Sequence, residues 1–148
     1  MILGDDMDVT NNLIELRILL NSICDGFSVD DLSKDMSLST KTKILFLLQE
    51  RDLGPCEMIK NLCIAKSNLA NILKSMIKEN LIESYKNLNN SKNIFYRITD
   101  SGQKELKDYK DKLYANIHKK FGNCEIELTE KMSEIIHFIK GKENDKII

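Results

Sequence analysis

The chain has 148 residues, 42% of them hydrophobic, with one Pro, six Gly, no Trp and a formal net charge of −1. It is long enough to bury the core of one domain, and its composition suits a mainly helical protein while excluding a disordered chain or a barrel. The near-neutral total would also reject nucleic acid as a partner, but charge is not evenly spread. Between Lys60 and Arg97, seven Lys and Arg stand against Glu79 and Glu83, a local +5 that leaves −6 for the remainder.

No apolar run approaches the roughly 20 residues that span a bilayer, and residues 1 to 8 lack the basic start and apolar centre of a signal peptide. No membrane partner is expected, and the default compartment is the cytosol. The four cysteines, Cys24, Cys56, Cys63 and Cys124, form no CxxC pair. This argues against a zinc ribbon and a disulfide framework, and they read as buried thiols. Cys56 and Cys63 lie two helical turns apart, about 10 Å along one face, too far to chelate one metal. No Ser/His/Asp set or glycine phosphate loop is present, so no cofactor and no catalytic activity are expected.

In chain order, residues 8 to 27 carry Val9, Leu13, Leu16, Leu20, Ile23 and Phe27 at alternating spacings of four and three, a heptad-like seam. Ile14, Ile18 and Leu19 widen it, so the helix has more than one apolar stripe to cover. The polar stretch from 28 to 37 breaks it. Ser39 is the expected N-cap of a second helix whose centre, Ile44 to Leu48, is apolar nearly all round and belongs in the middle of a core. Residues 51 to 54 end that helix. Pro55 starts a short third one closing near Leu62, and residues 63 to 65 form a tight turn.

The fourth helix, residues 66 to 79, sets Leu69, Ile72, Leu73, Met76 and Ile77 on one stripe. The opposite face holds Ser67, Asn68, Asn71, Lys74, Ser75 and Lys78, with no acid among them. Such a face is an ordinary solvated surface or one that donates to phosphates and, through Asn, pairs with adenine. Solvated faces usually mix both signs of charge, which favours the second reading. Asn80 closes the helix in a left-handed conformation. A strand from 81 to 86, turn chemistry from 87 to 93 and a return strand with Ile94, Tyr96 and Ile98 opposite Phe95 and Arg97 make a hairpin, which after a helix-turn-helix is a wing.

Asp100 is expected to cap a long fifth helix, with Gln103 completing a capping box, and Leu106, Tyr109, Leu113 and Ile117 as its apolar stripe. After Gly122 a last helix is expected from Thr129, with Met132, Ile135, Ile136 and Ile139 on its apolar side and residues 141 to 148 frayed.

This order resembles the MarR family of bacterial transcription regulators over essentially the whole chain. Leu62-Cys63-Ile64 precedes the recognition helix, Leu81-Ile82 follows it, and Ile98-Thr99-Asp100-Ser101-Gly102 matches the segment after the wing. Asn90-Ser91-Lys92 stands where the family carries Asp-x-Arg at the wing tip. An Arg there enters a narrow minor groove and is held by the carboxylate. Lys is a more strongly hydrated point charge, and Asn90 cannot form the ion pair, so minor-groove selectivity is weakened while phosphate contact survives.

The resemblance implies a mainly α fold with a small β-wing, a winged helix-turn-helix with N- and C-terminal dimerisation helices. Residues 38 to 99 would be the DNA-binding lobe, and 8 to 27 with 103 to 140 the dimerisation helices, in one domain. It implies a homodimeric, sequence-specific regulator of double-stranded DNA, acting as a repressor on a pseudo-palindromic operator and released by a small-molecule effector. Ser67, Asn68 and Asn71 would meet base edges, Lys66 and Lys74 phosphates, and Asn90 and Lys92 the wing contact. Leu13, Leu16, Leu20, Ile135, Ile136 and Ile139 would meet the partner copy.

The first 36 residues have a net charge of −6, which would suit a cationic effector but fits a solubilising surface better. Two other classes compete. One is a redox-sensing regulator using Cys24, which lies beside Asp25 with no evident cation to favour its thiolate. The other is a winged helix that binds protein, which should show aromatics or leucines on the outer face of the fourth helix. His118 and His137, far apart in sequence, read as surface or interface residues, not a metal pair.

Overall fold

A computed structural model describes residues 8–25, 38–87 and 90–145, without the side chains of Asn87, Asn90, Ser91, Lys92 and Asp145. The expectations for Phe27, for the acidic residues at 5, 6, 30, 31 and 35 and for the last three positions lie outside the described residues. Helix α1 is Val9–Cys24, α2 Thr40–Glu50, α3 Pro55–Leu62 and α4 Lys66–Lys78. Strands β1 (Ile82–Asn87) and β2 (Asn90–Ile98) follow, then α5 (Asp100–Phe121), a 3-10 turn (Gly122–Cys124) and α6 (Glu125–Asp145).

The core is built by α2, α3, α4, the base of the wing and the start of α5. Ile44, Leu45 and Leu48 of α2 meet Met58 of α3 and Leu69, Leu73 and Met76 of α4, with Ile82 and Leu106 closing the far side. Local chemistry sets the boundaries. The Ser39 hydroxyl accepts from the Thr42 amide at 3.2 Å, Pro55 occupies the first turn of α3, and Cys63 ends that helix at φ 52. Asn80 adopts φ 62 while its amide bonds the Ile77 carbonyl and the Leu81 amide bonds that of Met76, both sides of a Schellman closure. Phe46 departs from the expected all-round burial and is 50% exposed. In a continuous apolar run each residue turns about 100°, so one must point away from the core.

The wing is an antiparallel pair with Ile82 opposite Ile98 and Tyr85 opposite Phe95. It differs from expectation at both ends of the hairpin. Leu81 is spent on the helix closure, so β1 starts at Ile82, and β2 starts already at Asn90, which faces Asn87, with residues 91 to 93 forming a bulge before Ile94 faces Lys86. Backbone pairing at Asn90 overrides its turn composition. Leu53 exchanges two backbone hydrogen bonds with Tyr96, at 3.2 and 2.9 Å, and so ties the link between α2 and α3 to β2.

The start of α5 corrects a second expectation. Its N-cap is Thr99, not Asp100. The Thr99 hydroxyl donates to the Asn80 carbonyl at 2.6 Å and accepts from the Gly102 amide at 3.1 Å, so the capping box with Gln103 does not form. Thr99 wins because it can satisfy the left-handed turn and the new helix together. The last helix starts at Glu125, four residues before the expected Thr129. Glu125 and Glu127 in the first turn suit the positive end of the helix dipole, and Thr129 is an interior residue whose hydroxyl donates to the Glu125 carbonyl. The helix also continues past Gly141 to Asp145, where fraying was expected.

Helix α1 buries none of its residues; Val9, Leu13, Ile14, Ile18 and Leu19 are all more than half exposed. Its C-terminal end is held by α5, through the Tyr109 hydroxyl on the Cys24 carbonyl at 3.1 Å and the Asn116 amide on the Ile23 carbonyl at 3.3 Å. The cysteines are not buried thiols: Cys56, Cys63 and Cys124 are exposed and Cys24 is half-buried. Cys63 sits in the left-handed turn beyond α3, so it does not share a helix face with Cys56. Among the described residues no helix is long and apolar enough to cross a membrane.

Candidate nucleic-acid interface

Helices α3 and α4, joined by residues 63 to 65, turn the polar side of α4 away from the core. Ser67, Asn68, Asn71, Lys74 and Lys78 are exposed there, and Lys66 flanks them at the first turn. Ser75 leaves this set: it is half-buried and donates to Glu79 Oε1 at 3.0 Å. Ala65 at the N-cap supplies no side-chain acceptor. The amides of the first turn therefore add the positive end of the helix dipole to the lysines beside it.

Pairing decides the charge of this side. Glu79 is held by Lys41 of α2 and by Ser75, and the Lys41 hydrogen bond, then that of Ser75, pulls its carboxyl below the usual range. Glu83 faces Arg97 across the strands, Nε to Oε1 3.5 Å. Both acids of the local cluster are thus neutralised. Lys60, Lys66, Lys74, Lys78 and Lys86 are exposed, and no ion pair engages them among the described residues. Asn90 and Lys92 have their backbones in β2, at the tip end of the hairpin, while their side chains lie outside the described residues.

One tie on the wing, between Tyr85 and Asp52, escaped the sequence reading. Tyr85, Phe95, Arg97 and Glu83 share the outer face, where the Tyr85 and Phe95 rings stack at 6.0 Å and the Arg97 guanidinium lies 4.2 Å from the Tyr85 centroid. The Tyr85 hydroxyl donates to Asp52 Oδ2 at 2.6 Å, and this bond, with burial and the Asp52 charge behind it, raises its pKa. Alternation along the strands revealed the shared face. The partner 33 residues upstream left no local sign.

Two other features flank this lobe. A cavity of about 340 Å³ opens between α2 and α5, lined by Leu38, Phe46, Leu47, Leu62, Leu106 and Leu113, with Lys43 and Lys110 also in its wall. On α1 and α6, Leu13, Leu20, Ile135, Ile136 and Ile139 are exposed, and Leu16 is half-buried. His118 bonds Glu125, Nδ1 to Oε1 2.7 Å, and His137 is exposed; no group of metal-binding side chains occurs among the described residues.

A helix-turn-helix with an exposed, acid-free second helix, followed by a two-stranded hairpin and two long helices, defines a winged helix-turn-helix protein with a helical extension. Comparison with known families finds no matching profile for the chain. The transcriptional regulator AdcR of Streptococcus pneumoniae is 32% identical over 62 residues, a stretch that spans 42% of this chain and 42% of AdcR. BldR from Sulfolobus solfataricus superposes with a TM-score of 0.65 at 12% identity, covering 91% of this chain and 96% of BldR. A MarR variant from E. coli complexed with operator DNA superposes at 0.54 with 16% identity, covering 87% and 98%. The structural neighbours are MarR-family regulators, and the fold of this chain is the MarR-type winged helix, as the sequence resemblance implied.

Proposed function

We infer that the protein is a sequence-specific regulator of transcription that binds double-stranded DNA as a homodimer, in the role of a repressor. The carrying observation is the outer face of α4, where Asn, Ser and Lys are exposed together while Glu79 and Glu83 are neutralised. In this reading Ser67, Asn68 and Asn71 reach base edges and Lys66 and Lys74 hold phosphates. Asn90 and Lys92 carry the wing to the neighbouring groove. The fold shared with a MarR variant in complex with operator DNA supports it.

The homodimer follows from the apolar surface left on α1 and α6, which a monomer would hold in water. Twofold symmetry sets two copies of α4 about one duplex turn apart, roughly 34 Å, and makes the operator pseudo-palindromic. The cavity between α2 and α5 is where a small effector would act. Its apolar wall and two lysines suit an apolar anion, and binding must favour one spacing of the lobes to shift the equilibrium. Action on DNA puts the protein in the cytoplasm. The rival readings lose ground on particular residues. Burial, then the Asp25 charge, pushes the Cys24 thiol up and away from a reactive thiolate, and the outer face of α4 offers a protein partner no aromatic or leucine.

A mobility shift on the duplex upstream of the protein's own coding sequence, titrated with salt, tests the proposal. Binding should prefer that duplex to random sequence and weaken with salt. Asn71→Ala should lose about 1–3 kcal/mol of preference at the base pair it reads. Lys74→Ala should weaken all sequences alike and lower the salt slope by about 2 per dimer, from two phosphate contacts. Salt-independent binding, or the two variants exchanging these signatures, overturns the assignment.

A further inference from the structure

A two-stranded ribbon is marginally stable by itself, so the angle at which a wing projects depends on what ties it down. Here the ties are placed in series. At the base, Ile82 is buried in the core and Tyr96 exchanges backbone bonds with Leu53. Halfway out, Tyr85 reaches back to Asp52, the residue before Leu53, at 2.6 Å. The Tyr85 ring is fixed in turn by Phe95 at 6.0 Å and Arg97 at 4.2 Å, and Arg97 is fixed by Glu83 at 3.5 Å. Arg97 is thus engaged within the wing and stands at its base, away from the tip.

The lever arms give this arrangement a consequence. Tyr85 lies three residues from Ile82, about 10 Å along the strand, and the end of β1 at Asn87 lies about 17 Å out. A slip of about 1 Å at Tyr85 therefore becomes nearly 2 Å at the tip, enough to break a contact of hydrogen-bond length. The geometry points to Tyr85 and Asp52 as positioning residues for DNA binding: their hydrogen bond sets the angle at which the wing is presented relative to α4. This rests on the DNA-binding reading above. The bond joins a phenol to a carboxylate, a charge-assisted pair with one strong direction, and the segment carrying Asp52 connects directly to α3 of the helix-turn-helix. Wing and recognition helix are held to one frame.

The test is fluorescence anisotropy of the full-length protein with two duplexes, one from upstream of its coding sequence and one random. Tyr85→Phe keeps the ring, its stacking and the guanidinium contact, and removes only the hydroxyl. It should weaken binding to both duplexes by about three- to tenfold, the range of one net hydrogen bond. Asp52→Ala should do the same, and the double variant should be no worse than either. In a background where Lys86→Ala and Lys92→Ala remove the wing's tip charges, Tyr85→Phe should have no further effect, which a general loss of stability would not mimic. Equal binding by Tyr85→Phe and wild type, or an undiminished effect without the tip lysines, overturns the brace alone. A wild-type protein that binds neither duplex overturns the DNA-binding reading and the brace with it.

Discussion

Substituting Gly102 by Ala probes the junction on which the lobe depends. A Cβ at Gly102 would stand 2.2 Å from the Leu81 carbonyl oxygen, 2.8 Å from Ile98 Cγ1 and 3.2 Å from Leu45 Cδ2. Ordinary contact begins near 3.4 Å, so α5 and the wing base must part by roughly 1 Å. The carbonyl cannot simply move away, because it accepts the Thr99 amide at 3.1 Å. Overpacking costs about 1–3 kcal/mol, and the loss of that bond about 0.5–1.5. The helix propensity of Ala returns at most about 1. The net expectation is destabilisation by about 2 kcal/mol, which lowers the urea midpoint by about 1 M at a typical slope. Far-ultraviolet circular dichroism at fixed protein concentration reads it, since the stability of the proposed dimer would depend on concentration. Gly141→Ala, with nothing within 4 Å, is the control and should gain about 0.5–1 kcal/mol from propensity alone. A Gly102→Ala midpoint at or above wild type would refute the packing argument.

The outward apolar stripes predict that Leu13→Glu combined with Ile136→Glu gives a monomer in light scattering at micromolar concentration; a persistent dimer would exclude those faces. Tyr109 is pushed up to about 12, by burial first and then by Cys24 and Asp25. The folded state therefore favours its neutral form, and this contribution, full below the ordinary tyrosine value of 10.0, is lost as pH rises toward about 12. Tyr109→Phe should remove the last tyrosinate absorbance to appear and flatten stability across that window; an unchanged titration curve counts against it. Lys41→Ala should expose the Glu79 carboxylate to the cationic side of α4 and weaken binding to every duplex, roughly twofold per protomer at moderate salt. Adding Glu79→Gln should restore binding, and failure of that rescue would mean that Lys41 touches DNA itself.

Much of the fold was written in short-range chemistry. The Ser39 cap, Pro55 at the start of α3, Asn80 in its left-handed turn and the alternation from Ile94 to Ile98 all act within a few residues, and all stand where pattern located them. The misses share a cause in contacts between distant segments. Asp100 and Thr99 are both capable N-caps, and the choice was made by the Asn80 carbonyl 19 residues away. Thr129 has the chemistry of a helix start, yet the helix begins at Glu125, whose carboxylate is hydrogen-bonded to His118 seven residues upstream. Residues 90 to 93 have turn composition, but Asn90 pairs with Asn87 on the facing strand and 91 to 93 form a bulge in β2. Burial of the cysteines was a prior about residue type, and it failed because Cys63 and Cys124 sit in turns at helix ends and Cys56 lies on the exposed side of the first turn of α3.

The site was legible in a different sense. Counting charge along the chain located the cationic stretch, which needs sequence position alone, and the helical period picked out the exposed face of α4. What the count could not express is that an acid subtracts from a surface only if it is unpaired. Glu79 enters the tally as −1, but its neutralising partner Lys41 lies outside the counted stretch, on α2. Arg97 enters as +1, but Glu83 and the Tyr85 ring retain it within the wing. In the proposed reading the surface offered to a duplex is set by Lys60, Lys66, Lys74, Lys78 and Lys86, which no acid pairs among the described residues, together with whatever Lys92 adds at the tip. Pairing has divided the charged residues into those that hold the lobe together and those which, in the proposed reading, are left to meet phosphate. Tyr85 belongs with the first group, and through the angle of the wing it governs how well the second can act.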